Sequence, residues 1–167
     1  LPVHYAGHPC DMKTIDAMAK ANGSYVVEDA AHCMPSKIGG DFVGHSENLT
    51  AFSFYATKNI TTGEGGMLTG KLEYVDRARV LALHGMSKGA WNRFAKGASW
   101  KYDVPEPGFK YNMTDVAAAM GLVQLERLPE LFERRMKIVD IYRKEFAGSP
   151  YLKILKTLPG YQTSWHL

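Results

Sequence analysis

The chain has 167 residues, of which 46% are hydrophobic and 22% are charged, a composition typical of a globular protein with one core. Its net charge of +3 is small and its basic residues are dispersed, which argues against a nucleic-acid-binding protein. No apolar stretch approaches the roughly 18 residues of a membrane-spanning helix. The two cysteines, Cys10 and Cys33, form no CxxC pair, so the sequence predicts a protein of the reducing cytoplasm.

Both ends of the chain have strand-like sequence. Residues 1–5 resemble a strand already under way and carry no signal-peptide pattern, and residues 161–167 resemble a strand that is beginning. Natural termini are usually polar and frayed. We therefore interpret the chain as an internal fragment of a longer protein, to which any function belongs.

The first third alternates between strands and a helix. A short strand is predicted at residues 3–5, and a helix capped by Asp11 is predicted to end at Asn22 and Gly23. The next strand, residues 24–28, contains a continuous apolar run, which is typical of a parallel strand covered on both faces. This order indicates a βαβ unit.

The middle of the chain is predicted to complete the sheet. Residues 37–47 are polar and glycine-rich, which indicates a hairpin or loop. Further strands are predicted at residues 49–54 and 67–69, followed by a helix over residues 72–83.

The last part is mainly helical. Residues 86–109 form a long irregular segment of the kind that is usually functional. Thr114 is predicted to cap a helix that is apolar on nearly every side, which favours burial against a partner subunit. A longer helix is predicted from Pro129 to Phe146.

Two polar side chains follow predicted strands. Lys58 comes after the run Ala51–Ala56 and before a glycine-rich loop, and Asp29 comes directly after the second strand. Ligands of open α/β sheets bind beyond the carboxyl ends of strands, so both side chains are expected in one crevice. A desolvated lysine can form a Schiff base with a carbonyl. The alternatives without a catalytic role are that Lys58 is an ordinary surface lysine and that Asp29 only caps a turn.

These residues match what pyridoxal phosphate requires. Lys58 would take its aldehyde, Asp29 would keep its ring nitrogen protonated, and Ser53 would donate to its phosphate. Glu28 should face the opposite side of the strand from Asp29, so the two form a poor acid/base pair.

Several motifs in one order resemble the DegT/DnrJ/EryC1/StrS family of nucleotide-sugar aminotransferases. They are Val26–His32, Ser53–Ile60, Gly63–Gly66, Gly108–Asp115 with Ala117–Ala119, and Gln124–Leu128. The resemblance covers nearly the whole chain and is similar in detail to enzymes that make 4-amino-4-deoxy-L-arabinose and related 4-amino sugars.

The resemblance implies an α/β fold of the type I aminotransferase class, with a mostly parallel sheet flanked by helices. It implies that residues 1–155 belong to the large, cofactor-binding domain and residues 156–167 begin the small domain. It also implies a cytoplasmic homodimer with active sites at the interface. The reaction would transfer an amino group from an amino acid, commonly glutamate, to a nucleotide-linked keto-sugar for cell-surface polysaccharide, lipid A or O-antigen synthesis.

The resemblance also assigns roles to single residues. Lys58 would form the Schiff base with pyridoxal phosphate and carry a proton, and Asp29 would pair with the pyridine nitrogen. His32 would contact the 3-hydroxyl or the ring face, and Ser53 would bind the phosphate. The remaining candidates are Lys110 and Asn112 for the partner subunit's phosphate, and Tyr55, Lys88 and Trp91 for substrate contacts, for which packing roles are the alternative.

The sequence departs from the family at two positions, and two other functions compete with the aminotransferase. Many relatives have asparagine at the position of Lys110 and arginine at that of Asn112, so the ligand from this loop is undetermined. A dehydratase branch has histidine at the position of Lys58, and a regulator on the same fold would bind a phosphorylated ligand without catalysis. The isolated fragment is expected to bind cofactor weakly or not at all.

A metal site is the last alternative. His4, His8 and Cys10 lie close in sequence, but Gly7 and Pro9 interrupt any helix that would place them on one face.

Overall fold

The computed structural model describes residues 1–86 and 103–167. Its elements alternate along the first half of the chain and become helical in the second. The strands are β1 (Val27–Asp29), β2 (Lys37–Ile38), β3 (Asp41–Phe42), β4 (Leu49–Ser53), β5 (Gly66–Thr69) and β6 (Tyr161–Gln162); the helices are α1 (Met12–Ala21), α2 (Leu72–Ala82), α3 (Asp115–Glu126) and α4 (Leu128–Glu145), with a 3-10 turn at Tyr5–Gly7.

The main sheet has the strand order β1-β4-β5. β1 and β4 are parallel, with Asp29 opposite Ala51, and Val3 adds a parallel bridge to Asp29 on the other side of β1. β4 and β5 are antiparallel, so the main sheet is mixed, while its pairings of β1 with β4 and of Val3 with Asp29 are parallel. A continuous apolar run reports burial on both faces; the antiparallel direction of β5 follows from a connection, residues 54–65, that contains no crossover helix.

A second, antiparallel sheet has the order β3-β2-β6. Its β2–β3 hairpin confirms the prediction for residues 37–47, and β6 brings the end of the chain back to Lys37 and Ile38. Residues 161–166 therefore pack onto the first third of the chain. The domain boundary at residue 155 stays a prediction.

The predicted helix ends are confirmed where a capping side chain was identified. The Asp11 carboxylate accepts a hydrogen bond from Thr14 N–H, and the Thr114 hydroxyl accepts one from Ala117 N–H. Pro129 lies in the first turn of α4, where its missing N–H leaves no helical hydrogen bond unmade.

Two sequence predictions differ from the structure, and a third stays untested by a single chain. The strand expected at residues 3–5 is reduced to Val3, because the chain turns at Ala6 with φ 57°. The strand expected at residues 24–28 begins at Val27, and Tyr25 is exposed. The apolar side chains of helix α3 are exposed in this single chain, Val116 by 82%, so its burial against a partner subunit stays a prediction. The apolar composition of a helix predicts that its surface is buried, but it does not identify the chain that buries it.

The buried side chains form two clusters around β4. One contains Ala30, Cys33 and Val43, and the other joins Phe54 and Ile60 to Leu128 at the start of α4. In residues 1–86 and 103–167, no helix combines the length and apolarity needed to cross a membrane.

A buried polar network supports the back of β1. The Glu28 carboxylate is 2% exposed and accepts hydrogen bonds from His4 Nε2 at 2.8 Å, Asn48 Nδ2 at 2.9 Å and Ser46 Oγ at 3.1 Å. Burial alone would raise the pKa of Glu28, but these donors outweigh it and hold the pKa below its ordinary value. The network anchors β1 to the N-terminal segment and to the start of β4.

We expect Glu28→Gln to lower the free energy of unfolding by about 2–4 kcal/mol at pH 7, because a buried acceptor of three hydrogen bonds loses its charge. Since the folded pKa is depressed, the stabilisation by Glu28 is present above its ordinary pKa and is lost as the pH falls through the folded pKa. The measurement is denaturant unfolding from pH 7 to pH 3.

The matched control is Glu133→Gln on α4, where the carboxylate is 70% exposed and pairs with Lys137. It should change the unfolding free energy much less than Glu28→Gln does, because water screens an exposed ion pair. Equal effects of the two substitutions at pH 7 would contradict a supporting role for the Glu28 network.

Candidate active site

The site lies at the edge of the main sheet where the two parallel strands end. Asp29 ends β1 opposite Ala51, and Ser53 ends β4 two residues further along. The next residues turn into the segment that carries Lys58. Because β1 and β4 are parallel, their carboxyl ends release Asp29 and the Lys58 segment at the same edge, as predicted for an open α/β sheet.

The Asp29 carboxylate is oriented by its own backbone. Its Oδ1 accepts a hydrogen bond from Ala31 N–H at 3.0 Å, and its N–H and C=O bond to Pro2 and His4. Asp29 is only partly buried, while the adjacent Glu28 is fully committed to the network behind the sheet. The two acids therefore have separate environments, and Asp29 is the one that faces the site.

His32 is within electrostatic range of both charged candidates. Burial and the positive charge of Lys58 lower its pKa below the ordinary 6.5, and the negative charge of Asp29 opposes this shift. Both charges are thus close enough to act on the same imidazole. The ring also meets Tyr5 edge-on, with centroids 5.8 Å apart.

Lys58 is half-buried and held by a compact turn. Its N–H donates to Tyr55 O at 2.9 Å, and Thr62 N–H returns to Phe54 O at 2.9 Å. Phe54 and Ile60 on either side of the lysine are buried in one cluster. The hydrogen bond between Thr62 and Phe54 therefore closes the loop, and Lys58 lies midway between these two residues.

Ser53 and Tyr55 start this loop. Ser53 Oγ accepts a hydrogen bond from Tyr55 N–H at 3.3 Å, which leaves the hydroxyl hydrogen available to donate. The Tyr55 side chain is 47% exposed. These contacts suit a phosphate donor at Ser53 and leave Tyr55 free to meet a substrate, and both roles stay predictions.

Of the other candidates, the structure describes Lys110 and Asn112. Lys110 and Asn112 are exposed and hydrogen-bonded to each other, Nζ to Oδ1, on the segment that leads into α3. Lys88 and Trp91 lie outside the described residues.

Two residues near the site, His166 and Asn59, were given no role by the sequence analysis. His166 stacks on His32 with ring centroids 4.4 Å apart, and its Nδ1 is 3.0 Å from Asn59 Oδ1. Burial lowers the pKa of His166 to about 4, and His32, Lys58 and Arg135 contribute to the shift. No sequence signal near residue 166 indicated a site, since the contact joins distant parts of the chain.

Two of the three residues considered for a metal site, His4 and Cys10, have hydrogen-bond partners, whereas the buried Nε2 of His8 has none among the described residues. His4 donates through Nε2 to Glu28 and accepts at Nδ1 from Cys10 N–H. Within residues 1–86 and 103–167, no group of three or more histidine, cysteine, aspartate or glutamate side chains is placed to hold a metal ion.

Known proteins share both the sequence and this architecture. The spore coat polysaccharide biosynthesis protein SpsC of Bacillus subtilis strain 168 is 47% identical over 168 residues, which covers 100% of this chain and 43% of SpsC. Spr1654 from Streptococcus pneumoniae, in its PMP-form, has a TM-score of 0.82 at 35% identity, covering 98% of this chain and 45% of that one. The sugar aminotransferase CalS13 from Micromonospora echinospora has a TM-score of 0.85 at 29% identity, covering 98% and 45%.

These likenesses confirm the predicted α/β fold of the type I aminotransferase class. The chain spans less than half the length of the relatives it matches. The family resemblance is confirmed as well: the sequence model of the DegT/DnrJ/EryC1/StrS aminotransferase family matches residues 1–167, and the chain belongs to that family.

Proposed function

We propose that the whole protein is a pyridoxal-phosphate-dependent sugar aminotransferase of polysaccharide biosynthesis, and that this chain contributes the reactive lysine. The observation that carries the proposal is that Asp29 and the Lys58 segment leave the sheet at the same edge, where the parallel strands β1 and β4 end. An amine and a carboxylate at one edge form the polar pair that this cofactor requires.

The donor set fits the group. Pyridoxal phosphate supplies an aldehyde and an electron-withdrawing ring. Lys58 Nζ is the amine that would bond to the aldehyde and move a proton, and Asp29 would hold a proton on the ring nitrogen. Ser53 Oγ–H would donate to the phosphate, while His32 would donate to the ring's oxygen from Nε2, since its Nδ1 accepts from Ala6 N–H.

The relatives support this reading. Spr1654 is known in PLP- and PMP-forms, CalS13 is a sugar aminotransferase, and SpsC takes part in spore coat polysaccharide synthesis. We infer a sugar acceptor by this similarity. The finer assignment, a nucleotide-linked keto-sugar with glutamate as donor, rests on the sequence resemblance, as does a cytoplasmic location, with which the free thiols of Cys10 and Cys33 agree.

Lys58 argues against the two alternatives. A dehydratase of this family would have histidine at this position, and a regulator that only binds a phosphorylated ligand has no need of an amine beside the end of β4. The transaminase is therefore the proposal that gives Lys58 a chemical role.

We further propose that the protein is a homodimer assembled through α3. Its exposed apolar side chains, Val116, Met120 and Val123, follow one another at helical spacing, and Leu122 and Leu125 widen the stripe. A contiguous exposed apolar face of this kind marks an interface. The exposed Lys110–Asn112 segment leads directly into α3, which supports its predicted approach to the partner's cofactor phosphate.

We expect Lys58→Arg in the whole protein to abolish the visible absorbance band that borohydride removes, because arginine keeps the charge but cannot bond to the aldehyde. Transamination should fall by about a thousandfold or more. The measurement is an absorbance scan with added pyridoxal phosphate, before and after borohydride.

The control is Lys137→Arg on α4, an exposed lysine paired with Glu133. It should keep both the band and the activity. A borohydride-sensitive band that persists in Lys58→Arg would place the reactive amine elsewhere and contradict the proposal.

We expect Asp29→Asn to keep the covalent band but to slow transamination by about a hundredfold or more, because an amide cannot hold a proton on the ring nitrogen. Single-turnover loss of the band after addition of L-glutamate measures this effect. Asp41→Asn, an exposed aspartate on β3, is the control and should behave as the unsubstituted protein. Turnover in Asp29→Asn at the control's rate would exclude the proposed role.

We expect Val116→Glu combined with Val123→Glu to convert a dimer to monomers, because each buried carboxylate would face an apolar partner surface. Sedimentation equilibrium of the whole protein gives the mass. Lys137→Glu adds negative charge outside the stripe and should leave the dimer intact. A monomeric unsubstituted protein, or a dimer in the double variant, would contradict assembly through α3.

A further inference from the structure

Two histidines from distant parts of the chain pack ring against ring close to the Lys58 loop, where His166 contacts Asn59. His32 follows β1 and His166 follows β6, and their ring planes are 32° apart with centroids at 4.4 Å. The proposed function gives His32 a role and leaves His166 without one.

The backbone of Ala6 joins the two histidines. Its N–H donates to His32 Nδ1 at 3.2 Å, and its C=O accepts from His166 N–H at 3.0 Å. Ser164 Oγ adds a hydrogen bond to His32 O at 2.6 Å. Hydrogen bonds to the main chain therefore hold both histidines in place, in addition to the contact between their rings.

Both turns that form this arrangement have unusual backbone conformations. Ala6 has φ 57° and Trp165 has φ 49°, in the left-handed region that residues with a Cβ seldom adopt. Such conformations cost free energy and persist where surrounding contacts hold them, often at functional sites. Here both lie next to the histidine pair.

The hydrogen-bond network assigns the tautomers. Asn59 Nδ2 donates to Met34 O at 2.7 Å, so Asn59 Oδ1 is an acceptor and His166 Nδ1 must carry the hydrogen. His32 Nδ1 accepts from Ala6, so His32 carries its hydrogen on Nε2. The pair thus presents one defined donor, His32 Nε2–H.

We propose that His166 is a positioning residue of the aminotransferase site, whose ring fixes His32 in its Nε2–H orientation and whose Nδ1–H bond to Asn59 ties His32 to the Lys58 loop. This role rests on the proposed function. Asn59 directly follows Lys58, so the imidazole donor and the reactive amine share one rigid support.

The charges around the pair keep both rings neutral. Lys58 and Arg135 are the cations that act on it, from the loop after β4 and from α4, and Asp29 is the opposing anion from β1. Tyr5 packs against His32 from the 3-10 turn. Burial is the largest cause of the lowered pKa of each histidine, and the ring of His166, with its centroid 4.4 Å from that of His32, covers part of the His32 ring.

Two substitutions separate the two contacts of His166. His166→Phe keeps a flat ring on His32 but offers no donor to Asn59, and His166→Asn keeps an amide donor near the position of Nδ1 but removes the ring. His45→Phe and His45→Asn, at an exposed histidine outside the site, are the matched controls. All are made in the whole protein.

The first measurement is NMR of histidine-labelled protein without cofactor, which reports the tautomer and titration of each ring. We expect Nδ1–H for His166 and Nε2–H for His32 in the unsubstituted protein. In His166→Asn, the pKa of His32 should rise toward its ordinary value because water reaches the ring; in His166→Phe it should stay lowered.

The second measurement is the rate at which L-glutamate removes the visible band, followed against pH. His166→Asn should move the acid limb of the profile to higher pH. His166→Phe should lower the rate by about tenfold at every pH, because the variant loses one hydrogen bond. The position of the acid limb should not change.

Some results would overturn the role of His166. These are Nε2–H at His166 in the unsubstituted protein, an unmoved His32 titration in His166→Asn, or identical profiles for the Phe and Asn variants. Absence of the visible band in the unsubstituted protein would instead contradict the proposed function, and the tautomers remain measurable in that case.

Discussion

The parallel pairing of β1 with β4 is the constraint on which the site depends. It places Asp29 opposite Ala51 and ends both strands at the same edge, so that a carboxylate and the Lys58 segment leave the sheet together. An antiparallel pair would have sent the two segments to opposite edges. The Glu28 network holds β1 in this register from behind, since Asn48 and Ser46 belong to the segment that enters β4.

The return of residues 161–166 completes the site from the opposite side. Thr163 Oγ1 and Ser36 Oγ both donate to Gly7 O at 2.7 Å, and Ser164 N–H donates to Ser36 Oγ at 2.9 Å. Gly7 has φ 88°, and a Cβ there would lie 2.0 Å from Ser164 Oγ. Only glycine allows this approach, and the approach is what brings His166 onto His32.

Sequence patterns predicted the parts of this arrangement that depend on local physics. Strand ends located Asp29 and Lys58, and capping chemistry located the starts of α1 at Asp11 and of α3 at Thr114. The histidine pair could not be predicted, because a contact between residues so far apart has no periodic signal. The turns at Ala6 and Trp165 escape prediction for a related reason: alanine and tryptophan normally avoid positive φ, so only tertiary contacts explain them.

The burial of α3 against a partner subunit stays a prediction, and the contacts of this helix connect assembly with the site. Gln124 on α3 accepts a hydrogen bond from Thr61 N–H at 3.2 Å, close to Lys58 in the same loop. Leu128, directly after α3, packs with Ile60. Gln124 on α3 therefore contacts the loop that carries Lys58, while the apolar side chains of the same helix are exposed. A second copy that covers the stripe would restrain the helix, and through Gln124 and Leu128 it would restrain the loop that carries the amine.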